Sequence, residues 1–184
     1  MVKPKRGKKK WYKIFAPESF GGVELGETPA YSPEDTIGRV VELTVPFVTG
    51  DFSKNHILLY FQIVDASEEG CKTKIKKYKI TEEYLRSIVR RRSSRIDVII
   101  DTTFKDEKKA RIKALVITQG RANGSQKKAI RKKVMEIIEK EASEKTFEEF
   151  VLSVLNNKVQ DQYKKELHKI FPIKIFDFRV IETK

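Results

Sequence analysis

Apolar residues along the chain follow two different periods, and the change from one to the other divides it. From residue 11 to about 64 the runs are short and bounded by turn signals, as strands require: 11–15, 23–25, 38–43 and 57–64, separated by Ala16-Pro17, Gly21-Gly22, Ser32-Pro33 and Thr49-Gly50-Asp51. The run 57–64 is apolar on both faces and predicts a central strand. Residues 73–80 alternate Lys with Ile and Tyr, the pattern of a half-buried strand with a wet basic face. Tyr84, Leu85, Ile88 and Val89 then recur at helical spacing behind Thr81 and Glu82, predicting a short helix to about residue 91. Residues 96–104 and 111–118 predict an antiparallel hairpin with its tip at 105–108.

Beyond Gly120 the period is 3.6. Ser125 is the expected N-cap of a helix with Ile130, Val134, Ile137 and Ile138 on one stripe. Thr146-Phe147-Glu148-Glu149 spells a capping box, followed by an apolar face of Phe147, Phe150, Val151, Val154 and Leu155. A third helix carries Val159, Tyr163, Leu167, Ile170 and Phe171 and stops at Pro172, after which 173–181 returns as a strand with Phe176, Phe178 and Val180 on one face. The expected fold is α+β: an antiparallel, barrel-like β body, a C-terminal helical part, and a final strand rejoining the sheet. The expected organisation is a disordered basic arm over 1–10, a β-rich body with one short helix over 11–120, and the helical part plus last strand over 121–184.

Charge sharpens this picture. The 184 residues hold 39 Lys+Arg and 26 Asp+Glu, a net +13. Three acid-free patches account for it: residues 1–10 carry +6 (Lys3, Lys5, Arg6, Lys8, Lys9, Lys10), 86–95 carry +5 (Arg86, Arg90, Arg91, Arg92, Arg95) and 124–133 carry +5 (Lys127, Lys128, Arg131, Lys132, Lys133). These thirty residues hold +16, leaving −3 on the other 154. Cations gathered in this way on a nearly neutral body suit a polyanion, since each neutralised phosphate releases condensed counterions.

The patches differ in what else explains them. Arginines ending the short helix suit the negative end of its dipole. The patch at 124–133 opens its helix with cations, while residues 134–150 carry six Glu and two Lys, a net −4. That order opposes the helix dipole at about 0.3–1 kcal/mol per charge near the ends, so local stability does not account for it, whereas a phosphate at the helix start does. The acidic later part is a face for solvent or a basic neighbouring protein. Trp11 beside the arm either packs at the start of the first strand, the reading its position favours, or stacks on an unpaired base.

Little else in the sequence points to chemistry. His56 and His168 lack partners at metal-ligand spacing, no Gly-x4-Gly-Lys-Ser/Thr phosphate loop is present, and the lone Cys71 excludes an internal disulfide and fits a reducing cytosol. Neither a cofactor nor a metal site is expected. No apolar run approaches the roughly 20 residues of a membrane span, and the basic start lacks the apolar region of a secretory signal. Asp97 and Asp101 share one face of a strand about 13 Å apart. They are the one enzymatic candidate, a metal-dependent nuclease site with Glu68 or Glu107, set against simple ion pairs with lysines on neighbouring strands.

Four sequence pieces converge on one family. Trp11-Tyr12 followed by Ala16-Pro17 and Phe20, Gly38-Arg39-Val40 with Glu42, the block Ile130-Arg131-Lys132-Lys133-Val134-Met135-Glu136-Ile137, and Ile170-Phe171-Pro172 occur in that order along the whole chain. Together they resemble the small-subunit ribosomal protein family S-one-e, also called S-three-a-e, of archaea and eukaryotes; the Ile-Arg-Lys-Lys block is the most specific. The resemblance implies a non-enzymatic, cytoplasmic component of the ribosome that binds small-subunit rRNA on the platform, near the mRNA exit and the rRNA 3′ end. Its partners would be neighbouring small-subunit proteins and mRNA at the exit. By the motif match, Lys8, Lys9 and Lys10 fall in the family's basic arm, and Arg131, Lys132 and Lys133 in its basic helix. The short arm, the compact linker over 120–128 and the end at Lys184 point to an archaeal-type member. Arg121, in the linker, joins the expected RNA-binding set. A free-standing RNA chaperone or translation factor is the alternative.

Overall fold

The computed structural model describes residues 8–184, and the chain divides into two units, one ending at Lys76 and one spanning Lys77–Lys184. In the first, β1 (Lys10–Phe15) pairs antiparallel with β2 (Glu24–Ala30), setting Trp11 opposite Pro29 and Tyr12 opposite Thr28. The sequence pattern shows only the start of β2, because Gly26 and Pro29 read as breakers. β3 (Val40–Thr44) pairs antiparallel with β4 (Ile57–Ala66), which also pairs with β5 (Cys71–Ile80). The start of β5 lies parallel to β1, with Ile14 opposite Cys71 and Phe15 opposite Lys72.

Alternation places Tyr12, Ile14, Leu59, Phe61, Ile63 and Ile75 in the core of this unit, where Phe20 meets Phe61 edge to face at 5.6 Å. A one-turn helix missed in the sequence, α1 (Val45–Thr49), has Pro46 in its first turn and ends where Gly50 takes φ 76°. Gly70 sits where a Cβ would lie 2.5 Å from the Phe15 ring, so the chain entering β5 packs against β1 only without a side chain there.

In the second unit the remainder of β5 pairs with β8 (Ile173–Thr183), Lys77 opposite Glu182. β8 pairs with β7 (Lys109–Thr118), and β7 with β6 (Arg95–Thr103), as the predicted hairpin. The helices are α2 (Glu82–Ile88), α3 (Gly124–Glu144), α4 (Phe147–Leu155) and α5 (Lys158–His168). The buried faces of α4 and α5 close on β8 through aromatic contacts: Phe150 lies 5.5 Å from Phe178 and Tyr163 5.1 Å from Phe176. Ile130, Val134 and Ile138 of α3 are fully buried, and the capping box of α4 forms as its sequence predicts.

The α+β class and the returning final strand are as expected, but the barrel-like closure is not. Strand order runs β2-β1-β5-β8-β7-β6 with β3 and β4 attached at β5, and no ladder joins the end strands among the described residues. The cause lies in the edges. Pro29 on β2 cannot donate a ladder hydrogen bond, and Arg39 covers that edge by donating to Thr28 Oγ1 at 2.6 Å and to the Pro29 carbonyl at 2.9 Å. β6 exposes Arg95, Asp97 and Asp101, charges that discourage further pairing.

Candidate nucleic-acid interface

β1 carries the first group. Because its buried positions are Tyr12 and Ile14, Lys9, Trp11 and Lys13 point the other way. Trp11 is 67% exposed, which corrects the expectation that it packs in the core; Tyr12, at 7%, takes that place. The β1–β2 register sets Tyr31 beyond Ala30, across from Lys9, whose ammonium lies 5.5 Å from the Tyr31 ring centroid. One outer face therefore presents Trp11 and half-exposed Tyr31 with Lys9 and Lys13, the last bound to Glu24 at 3.1 Å. Lys8 and Lys10 are exposed beside them, whereas Lys3, Lys5 and Arg6 lie outside the described residues. Tyr31 gave no sequence signal because its immediate neighbours, Ala30 and Ser32, carry no charge; only the strand register brings it to the lysines.

The second unit holds the other groups. α2 ends at Ile88, so Arg90, Arg91 and Arg92 lie beyond the helix and do not cap its dipole as expected; Val89 is already extended and Arg92 turns the chain at φ 66°. The helix charge that does sit in the last turn is Arg86, 3.7 Å from Glu82. All three arginines of the triplet are exposed. Ser94 then ties this loop down: its amide donates to Thr118 Oγ1 at 2.9 Å, the Thr118 amide donates to the Ser94 carbonyl at 3.0 Å, and Ser94 Oγ accepts from the Ala122 amide at 3.1 Å. Patches about thirty residues apart in sequence, Arg90–Arg95 and Arg121–Lys133, are thereby fastened at their bases. The sequence gives no hint of Ser94 and Thr118, since nothing in it marks a small hydroxyl as buried.

The cap of α3 is Asn123, not Ser125: the Asn123 amide donates to Gln126 Oε1 at 2.9 Å, which leaves Gly124 and Ser125 inside the first turn. Lys128, Arg131 and Lys132 are exposed, Lys127 and Lys133 partly so. Lys133 reaches Glu136 at 3.6 Å; among the described residues the other four form no ion pair. The stripe of Ile130, Val134 and Ile138 fixes the rotation of α3 and so turns these cations outward.

The carboxylates considered for a nuclease site are engaged otherwise. Arg95 grips Asp97 at 2.9 and 3.0 Å. Asp101 accepts from Arg111 at 2.8 and 2.9 Å and from Lys184 at 2.9 Å, bonds that hold its pKa well below the usual carboxylate range. These are the ion pairs of an exposed sheet face, and no cluster of three or more His, Cys, Asp or Glu side chains suited to a metal occurs among the described residues. Cys71 is buried with Sγ 3.3 Å from Thr36 Oγ1, and His168 Nδ1 accepts from the Ile173 amide at 3.3 Å. No helix among the described residues is long and apolar enough to cross a membrane.

Fold and charge together define a class: an α+β protein whose exposed cations are gathered on a strand face, a loop and a helix start, the arrangement suited to a polyanionic partner. More particularly, the chain belongs to the Ribosomal S3Ae family, whose model matches residues 2–183. It is 43% identical over 174 residues to the small ribosomal subunit protein eS1 of Desulfurococcus amylolyticus, covering 95% of this chain and 82% of that protein. To the eS1 protein of Saccharolobus islandicus strain L.S.2.15 it is 42% identical over 173 residues, covering 94% and 83%. Both sources are archaeal, in line with the archaeal-type expectation.

Proposed function

We propose that the chain is a structural constituent of the small ribosomal subunit in the cytoplasm. It binds rRNA through the N-terminal arm with the β1 face and through the paired patches of the second unit. The observation that carries this reading is the Ser94–Thr118–Ala122 hydrogen-bond set, which fastens the arginine loop to the start of α3 and leaves both sets of cations exposed. Cations held at fixed spacing on a folded base match fixed phosphates of a folded RNA, and backbone contacts of this kind position the protein without reading sequence. Trp11 and Tyr31 supply stacking faces for unpaired bases. A location on the platform near the mRNA exit follows from the family resemblance, and the acidic later turns of α3 are the face for a basic neighbouring protein.

Sedimentation of a tagged chain with ribosomal subunits tests this reading. Stoichiometric migration with the small subunit that survives moderate salt is expected; substoichiometric, salt-labile association would instead identify a free-standing RNA chaperone or translation factor. Crosslinking within purified subunits, read at nucleotide level, then assigns the rRNA positions.

A further inference from the structure

A cleft of about 400 Å³ in the second unit is lined by Glu82, Leu85, Arg86, Val89, Arg95 and Arg179. Arg179 was not among the residues the sequence singled out, and its placement is unusual. β7 pairs Lys113 with Val180 and Ala114 with Phe178, so Arg179 is the extra residue of a β-bulge, the device by which a strand re-aims one side chain. Its side chain is partly buried and forms no ion pair among the described residues. Glu82 is the one carboxylate in the lining and it meets Arg86, so the three guanidiniums leave the cleft cationic overall.

The other two arginines keep donors to spare. Arg86 meets Glu82 only at 3.7 Å with its side chain 82% exposed, and Arg95 spends one edge on Asp97. Between these three cations, Val89, 36% exposed, and the edge of the otherwise buried Leu85 supply an apolar surface. We infer that this cleft holds one nucleotide of single-stranded RNA, its phosphate on the guanidinium forks of Arg86, Arg95 and Arg179 and its base or ribose against Leu85 and Val89. The inference rests on the proposed RNA-binding role and names a site within it. RNA is favoured over an acidic peptide because further exposed cations follow in the chain, Arg90–Arg92 before the Ser94 tie and Arg121 and the start of α3 beyond it. Several cations in series suit a repeating phosphate backbone. Base-paired RNA does not fit the apolar surface, since its bases are already stacked inside the helix.

The test measures binding of the full chain to a uridylate pentamer and to a blunt RNA duplex by fluorescence anisotropy over a salt series. Arg179→Gln and the freely exposed Arg86→Gln are each expected to weaken the pentamer about tenfold and to lower its salt slope by about 0.7, with duplex binding changed less than twofold. The Arg86 variant serves if the Arg179 variant does not fold. Pentamer affinity unchanged in both variants overturns the site, as does a polyglutamate peptide that binds more tightly than the pentamer. The variant Lys128→Glu, Arg131→Glu, Lys132→Glu is run in parallel. If it loses duplex and pentamer while the cleft variants do not, only the cleft assignment fails; if it too is unchanged, the RNA-binding reading itself fails.

Discussion

The amide of Ser94 donates to the hydroxyl of Thr118 at 2.9 Å, and both residues are buried, at 8% and 0% exposure. The Thr118 hydroxyl sends its one proton to the Gly120 carbonyl, 2.6 Å away. A single side chain thus links the end of the arginine loop, the end of β7 and the linker into α3. The positions of two basic patches depend on it.

Thr118→Val keeps the volume but strands the Ser94 amide and the Gly120 carbonyl. A loss of about 1–3 kcal/mol is expected by denaturant unfolding. RNA affinity of the folded variant should fall as well, because the two patches are no longer held at one spacing.

Charge reversal of Lys128, Arg131 and Lys132 should separate binding from stability. None of the three forms an ion pair among the described residues, and acids suit the first half of a helix better than bases do. Thermal unfolding should therefore be unchanged or slightly raised, while the plot of log affinity against log salt becomes shallower by about 0.7–0.9 for each phosphate no longer neutralised. An unchanged slope would place these residues away from phosphate.

Trp11 and Tyr12 are neighbours with opposite expectations. Trp11→Ala removes an exposed ring, so stability should stay within about 0.5 kcal/mol, while affinity for unpaired RNA drops by about 1–3 kcal/mol. Tyr12→Ala empties a core position and should cost about 3–5 kcal/mol of folding stability, by analogy with buried aromatics.

Asp177 provides a pH test. Burial raises its pKa from the ordinary 3.8 to about 6, although its Oδ1 accepts from the Phe178 amide at 2.8 Å. The folded chain keeps a proton that the unfolded chain releases near pH 4. Between about pH 4 and 6 this group therefore lowers stability as pH rises, and above 6 the loss is constant at about 2–3 kcal/mol. Asp177→Asn is expected to stabilise the protein at pH 7.5 and to leave it nearly unchanged at pH 3.5. Equal effects at both values would mean that its surroundings do not raise the pKa of the Asp177 carboxyl.

What the sequence disclosed depended on periodicity. The alternation in 73–80, the hairpin at 96–118 and the stripe of Ile130, Val134 and Ile138 all appear where their patterns place them, since burial of one face leaves a visible period. Features that depend on a partner across space did not show. Tyr31 meets Lys9 only through strand register, and Arg179 is set apart by a bulge invisible in its own strand. Trp11 reads as core in the sequence, yet its position in β1 is one residue out of phase with the buried face. The end of α2 comes earlier than its pattern suggests for a local reason: Val89 continues the helical spacing but adopts extended backbone.

The cations at the start of α3 and the glutamates toward its end conflict with the helix locally, but from a distance they act as one object. Side-chain charges positive at the N-terminus and negative further along point the same way as the peptide dipole of the 21-residue helix, so the two add. In the field of a phosphate surface such a segment would feel a torque as well as an attraction, which would turn the start of α3 toward that surface before any contact formed. The arrangement that weakens the isolated helix should then raise the rate of productive encounter, and that gain should fade as added salt shortens the reach of the field.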